Sequence, residues 1–248
     1  MKYITTEISL KITTAFFAIQ ILLLSGCEDK HPRANDRSAS SALISEATKL
    51  QEIEDQPKNG SESNFVLVKL PREIEIQVPR NWRLLTDEEN KLIELSTEAA
   101  LDISGIQVST AGESNLLAAN SMPTSTYASV RIDSTVPAEL PPYEIMAITA
   151  KDIAVLESVV KKGIEKLLSN QGLQLTQFID LQRRTISGNP ALITEYRRSG
   201  PKGSVYVMQI QIFTENQTVA INLSYRESEQ IVWKPVIEKI YRSITIEH

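Results

Sequence analysis

The sequence predicts an α+β domain, an antiparallel sheet with helices packed against it. Three observations lead there. Strand-like runs come in groups rather than in strict alternation with helices, which disfavours a parallel βαβ sheet. Four of these runs, 173–186, 190–198, 204–214 and 218–225, follow one another through connections of hairpin length. One long segment, 149–169, carries Ile153, Leu156, Val160, Ile164 and Leu167 at i, i+3, i+7, i+11 and i+14, a single apolar helical face.

The 248 residues allow one or two domains and a sizeable core. Hydrophobic residues at 42% and charged residues at 23% are ordinary for a globular chain. A net charge of −5 argues against a nucleic-acid partner, because holding phosphates needs a concentrated basic surface. The single cysteine, Cys27, cannot form an internal disulfide. The two histidines are His31, near the start, and His248, the last residue, so the body of the domain has neither His nor Cys.

Taken in order, the chain opens on a weakly basic stretch with Lys2 and Lys11 against Glu7. Residues 12–24 are apolar apart from Thr13, Thr14 and Gln20. That is short for a membrane span but has the length of a signal-peptide core. It ends in Leu24-Ser25-Gly26-Cys27, an aliphatic residue and two small ones before the thiol. Small side chains let the backbone enter a peptidase cleft, and a thiol can accept a lipid.

This tetrapeptide resembles the lipobox of bacterial lipoproteins. The resemblance implies cleavage between Gly26 and Cys27, a signal peptide over 1–26, and lipidation of Cys27 with diacylglycerol and a palmitate-type acyl chain. One chain anchors a protein marginally, and two or three hold it stably. A plain signal peptide followed by a chance cysteine is the alternative; the apolar core and the only thiol falling together favour lipidation. The expected address is the periplasmic face of a bacterial membrane. Glu28, rather than the Asp that favours inner-membrane retention in enteric-type lipoproteins, tips the expectation toward the outer membrane.

Residues 28–64 are rich in Ser, Asn, Asp, Glu and Lys and lack Phe, Tyr and Trp. Such a composition buries too little surface to offset its ordering entropy, so 27–64 reads as a flexible tether. Leu43, Ala47, Leu50 and Ile53 share one side of a short helix, either transient or a docking element. No apolar run beyond Leu24 approaches the roughly 20 residues of a membrane span.

The packed domain is expected over 65–248. Residues 65–70 and 73–78 flank Pro71 as two short strands, and Pro79-Arg80-Asn81-Trp82 is a turn with an apolar anchor. Thr86-Asp87-Glu88-Glu89 has the form of a capping box, opening a helix with Leu92, Leu95, Ala99 and Ile103 on one face. Strand pieces are expected at 106–108 and 116–119. Alternation then places Ala128, Val130 and Ile132 toward a core. A loop with Pro137, Pro141 and Pro142 leads to the long helix, and the four-strand meander follows. A last helix over 230–241 turns Trp233, Ile237, Ile240 and Ile244 inward, with Pro235 in its first turn. Residues 243–246 add a short strand.

Three stretches carry a wider resemblance: Val78-Pro79-Arg80-Asn81-Trp82, Ile186-Ser187-Gly188-Asn189-Pro190-Ala191, and Trp233-Lys234-Pro235-Val236 through Ser243-Ile244. They resemble the opening, the hairpin turn and the closing helix and strand of PsbP-like and DcrB-like domains. The resemblance covers about 65–246 and implies an α/β/α sandwich. Its motifs are turn residues and anchors, and it implies accessory or binding roles without an active site to carry over.

Chemistry is sparse. A serine triad and the common zinc sites both draw on His or Cys, which the domain lacks. No phosphate loop or dinucleotide fingerprint is present, and nothing calls for a cofactor or a metal. A carboxylate pair could be drawn from Asp133, Glu139, Glu144 and Glu195, although acids in such places are usually solvated.

The sheet offers a subtler signal. Tyr206, Met208, Ile210 and Ile212 fall on one face of their strand, and Val205, Val207, Gln209, Gln211 and Phe213 on the other. In the next strand Val219, Ile221, Leu223 and Tyr225 oppose Thr218, Ala220, Asn222 and Ser224. Gln209, Gln211, Asn222 and Ser224, extended by Glu195 and Arg197, form either a recognition face or a sheet surface left to water. Arg183, Arg184, Arg197, Arg198 and Lys202 form a basic group that could meet anionic lipid headgroups or an acidic partner, or simply guard a sheet edge.

The expected function is that of a membrane-tethered envelope lipoprotein whose domain binds a protein partner or an envelope component without catalysis. An envelope inhibitor (an immunity protein against a secreted toxin) and a carboxylate-dependent hydrolase are the alternatives.

Overall fold

The structure is a computed structural model that describes residues 64–84, 113–121, 127–138 and 140–247. Cys27, the expected signal segment and tether, the helix expected over 86–103, the strand expected at 106–108 and Glu139 lie outside those residues.

Two strands, Phe65–Leu70 (β1) and Ile74–Pro79 (β2), form the expected hairpin. Arg72 and Glu73 take left-handed φ of 64° and 62° in its turn, which is uncommon for residues with a Cβ. Side-chain bonds hold that turn in place. Arg72 donates to Ser134 Oγ at 2.6 Å, and Gln217 Nε2 donates to the Arg72 carbonyl at 3.1 Å. The closing strand, Thr245–Ile246 (β10), pairs with β2 and completes a separate three-stranded sheet.

The main sheet has seven antiparallel strands: Arg83–Leu84 (β3), Glu113–Asn120 (β4), Ala128–Thr135 (β5), Leu175–Ile186 (β6), Asn189–Arg198 (β7), Val205–Phe213 (β8) and Thr218–Arg226 (β9). Their order is β3-β4-β5-β9-β8-β7-β6. After β5 the chain crosses to the far edge and then returns strand by strand until β9 lies against β5. The hairpin between β6 and β7 turns on Ser187 and Gly188, both at positive φ, as a tight two-residue turn between twisted strands demands.

The crossing consists of two helices, Pro142–Met146 (α1) and Ala150–Asn170 (α2). The proline-rich segment was expected to be loop throughout. Its Pro142 instead opens α1, because a helix's first turn has no use for the missing N–H. The start of α2 is fixed by a capping box of Thr149 and Asp152, and Leu156, Val160, Ile164 and Leu167 are buried on its predicted face.

A 3-10 turn, Glu227–Glu229, leads into Gln230–Arg242 (α3). Trp233, Ile237, Ile240 and Ile244 are buried as their spacing predicts. Pro235 departs from the expectation: the helix begins at Gln230, so Pro235 falls inside it. Its missing N–H therefore leaves a gap in the i→i−4 ladder.

The result is an α+β sandwich. On one side of the main sheet α3 and the small sheet enclose Ile74, Ile76, Val130, Ile132, Ile210, Ile221 and Trp233. On the other, α1 and α2 pack Ile145, Leu156, Ile164 and Leu168 against Leu181, Leu192, Tyr196 and Phe213.

Candidate functional site

Register decides which side chains meet on the polar face. Thr194 lies opposite Gln209, Gln209 opposite Asn222, and Asn222 opposite Arg131. Residues directly opposite share a face, so these four form a row across β7, β8, β9 and β5. A neighbouring row joins Tyr196, Val207, Ser224 and Ser129. Gln211, between Leu192 and Ala220, lies in the row on the other side.

Two expectations about this face need correction. The first concerns exposure: Gln209 is 2% exposed, Gln211 3%, and Asn222 and Ser224 4% each. They form an interior polar layer, not a surface left to water. The second concerns Arg197, which pairs with Tyr206, while Glu195 pairs with Met208. Both therefore lie on the opposite face of the sheet. There Arg197 forms an ion pair with Glu227 and Tyr206 donates its hydroxyl proton to Glu195. Burial, then the hydrogen bond to Glu195, hold the Tyr206 phenol above its ordinary pKa.

The rest of the basic group is dispersed in the same way. Arg183 bonds the carbonyls of Met146 and Ile148, each at 2.6 Å, and so clasps the end of α1. Arg184 donates to Gln182 on the Glu195 side, and Arg198 is buried on the Gln209 side, donating to the Ser199 carbonyl. No single basic patch results from these residues.

On the polar face itself, Ser129, Ser224 and Tyr127 bring their hydroxyls together, at 2.9 Å between the serines and 3.1 and 3.3 Å from the tyrosine. Arg131 donates to Asn120 Oδ1 and the Val130 carbonyl. Thr194, Tyr196 and Arg131 belong to the layer but went unrecognised in the sequence. Each falls at the right alternation, but only the registers of β7 with β8 and of β5 with β9 show that they share the face of Gln209 and Asn222.

The candidate carboxylates do not converge. Asp133, opposite Ala220, is buried on the Gln209 side, and Glu195 lies on the other. Glu144 belongs to α1. Among the described residues no group of three or more His, Cys, Asp or Glu is placed to hold a metal ion. No helix among them is long and apolar enough to cross a membrane.

Fold and site together define an antiparallel α+β sandwich whose main sheet has one largely apolar face, with Glu195 and Arg197 among its residues, and carries a buried polar layer on the other. No family model and no curated protein matches the sequence. Among solved structures, the chain is similar to cyanobacterial PsbP (CyanoP) from Synechocystis sp. PCC 6803, at 14% identity and a TM-score of 0.46, covering 77% of this chain and 98% of that one. It is also similar to LpqN, a protein involved in cell envelope biogenesis of Mycobacterium tuberculosis, at 14% identity and a TM-score of 0.39, covering 71% and 83%. A Pseudomonas aeruginosa protein of unknown function, PA94, gives 11% identity and a TM-score of 0.34, covering 75% and 99%.

Proposed function

We propose that the protein is a lipid-anchored component of a bacterial envelope whose PsbP-like domain binds a partner without catalysing a reaction. The observation that carries this reading is Leu24-Ser25-Gly26-Cys27, with the chain's only thiol at the end of an apolar signal core. The tether of about 37 residues that follows could span on the order of 130 Å when extended. It enters the domain at the exposed Asn64, just ahead of β1, so the domain can work well away from the bilayer. The separation of Asp133 and Glu195 onto opposite sides of the sheet supports binding over carboxylate catalysis.

Cys27→Ser tests the anchor. Metabolic labelling with a palmitate analogue should mark the native chain and not the variant; label persisting on the variant overturns the lipid assignment. Density-gradient fractionation of the labelled chain should place it with the outer membrane. Crosslinking and affinity purification of the lipidated chain should recover a reproducible envelope partner. A hydrolytic activity that Glu144→Gln abolishes would overturn the non-catalytic reading.

A further inference from the structure

The two edges of the main sheet are unlike. One is β3, two residues long; the other is β6, twelve residues long and paired, among the described residues, with β7 alone. A long edge strand presents a row of backbone N–H and C=O groups open to another strand. Register shifts at Leu175/Gln177 and Phe178/Asp180 break up the first half of β6, a common guard against such pairing. From Asp180 to Ile186 the register is unbroken, and Arg183, Arg184 and Thr185 are exposed. This half is guarded by charge, but in an order that fits itself. Asp180, Gln182 and Arg184 form a ladder on one face, where Gln182 donates to Asp180 and accepts from Arg184. Arg183 lies on the other face, held by the carbonyls of Met146 and Ile148.

We infer that β6 is the interface for a second copy of this chain, the two edges pairing antiparallel about a two-fold axis at Gln182. A two-fold that joins antiparallel edges stands perpendicular to the sheet and keeps each face on its own side, so the pairing centres on one residue. Centred on Gln182, it sets Asp180 of each copy opposite Arg184 of the other, two opposite-charge pairs on the open face. Gln182 then meets its own copy, and each amide can both give and accept. The exposed Ile179 falls opposite Thr185, and Leu181 opposite Arg183, so no like charges meet. Centred on Asp180, Arg183 or Arg184, the axis would set like charges against each other; centred on Leu181, it would leave the charges unpaired. Arg184 can reach the second copy without giving up Gln182, because a guanidinium carries five donors. A foreign strand would need the same inverted charge order, which a second copy has by symmetry.

The inference goes beyond the anchored binding reading and names one partner. The test is sedimentation equilibrium of the full chain in density-matched detergent. The native chain should dimerise with a dissociation constant below about 100 μM. Asp180→Arg and Arg184→Asp, each of which sets like charges together twice, should weaken the dimer by roughly tenfold or more. The double variant Asp180→Arg/Arg184→Asp restores opposite pairs and should return to within about threefold of native, a rescue that a merely structural role for either residue would not give. Gln182→Cys reads the axis independently of these charges. Its two copies would place their Cα atoms roughly 4.5–5.5 Å apart, within reach of a disulfide, so mild oxidation should link them. Thr185→Cys, whose copies would lie roughly 20 Å apart, should stay unlinked. A chain still monomeric at about 100 μM, a dimer unmoved by either charge reversal, or a Gln182→Cys chain that links only to a different envelope protein overturns the inference. None of these results bears on the lipid anchor, which Cys27→Ser tests separately.

Discussion

Glu229 joins three separate pieces of the fold, and removing it should cost more than any surface charge. Its Oε2 accepts from the Tyr127 backbone N–H at 3.0 Å, just before β5, and from the Trp233 indole at 2.8 Å in α3. Its Oε1 accepts from Arg226 at 2.8 Å at the end of β9. Burial pushes the Glu229 carboxyl pKa up, but the indole, the amide and Arg226 outweigh burial and hold it below the usual carboxylate range. Hydrogen bonds to a charged group contribute roughly 1.5–3 kcal/mol each, and the partly exposed ion pair adds under about 1 kcal/mol. Allowing for partial resolvation of the indole and amide, Glu229→Ala should destabilise the fold by about 3 kcal/mol. Glu229→Gln, which keeps one carbonyl acceptor, should lose about half of that. For a domain of this size 3 kcal/mol lowers the melting temperature by roughly 6–12 °C. Urea titration of the full chain, followed by tryptophan fluorescence, gives the free energies directly. Because the folded-state pKa is depressed, the carboxylate's contribution is fully present above the unfolded value of about 4.3 and is lost as pH falls through the folded value. The gap between native chain and Glu229→Ala should therefore narrow below about pH 4. A Glu229→Ala chain within about 0.5 kcal/mol of native, or a gap constant into acid, would refute this reasoning.

Three further outcomes are expected. Ile221, fully buried between Ile132 and Ile210 in the middle of the main sheet, should cost about 2–5 kcal/mol when changed to Ala; a smaller urea shift would mean the sheet centre collapses around the gap. Thr149→Ala removes the hydroxyl that, with its backbone N–H, holds the Asp152 carboxyl below the usual aspartate range. The Asp152 titration midpoint followed by NMR should rise, and amide exchange in the first turn of α2 should speed up roughly fivefold. Arg183→Ala frees the carbonyls of Met146 and Ile148. Amides of α1 should then exchange faster while those of β8 and β9 keep their protection, and equal protection of α1 in both chains would show the clasp to be incidental.

Several elements were legible in the sequence because their signals are local. The α2 face repeats apolar residues over about four turns, and its boundaries agree with the structure to within a residue. The meander strands are bounded by turn chemistry, so Ser187-Gly188 could be placed without a partner strand in view. Helix α1 was missed because three prolines in so short a span read as loop, and five residues are too few to show a period. The closing strand β10 was found, but its partner was not. Two residues carry no pairing information, and β2, its neighbour, is distant in sequence.

The polar layer was legible by half, and the missing half is a matter of parity. Alternation along a strand separates two faces but does not say which face of the next strand joins them; the register across the turn does that. Arg197 and Arg198 are adjacent and chemically identical, and the β7–β8 register puts Arg198 with Val205 and Arg197 with Tyr206. A one-residue difference in that register would have placed Arg197 on the Gln209 face, as the sequence suggested. Burial is hidden for a different reason. A glutamine at a water-facing position and one at an interior position are the same letter, and alternation along the strand does not tell them apart. The strand does carry one hint: a solvated face favours charged residues, yet Val205–Phe213 has none on either side. Uncharged amides set among Val, Ile and Phe fit an interior polar layer better than an outer surface.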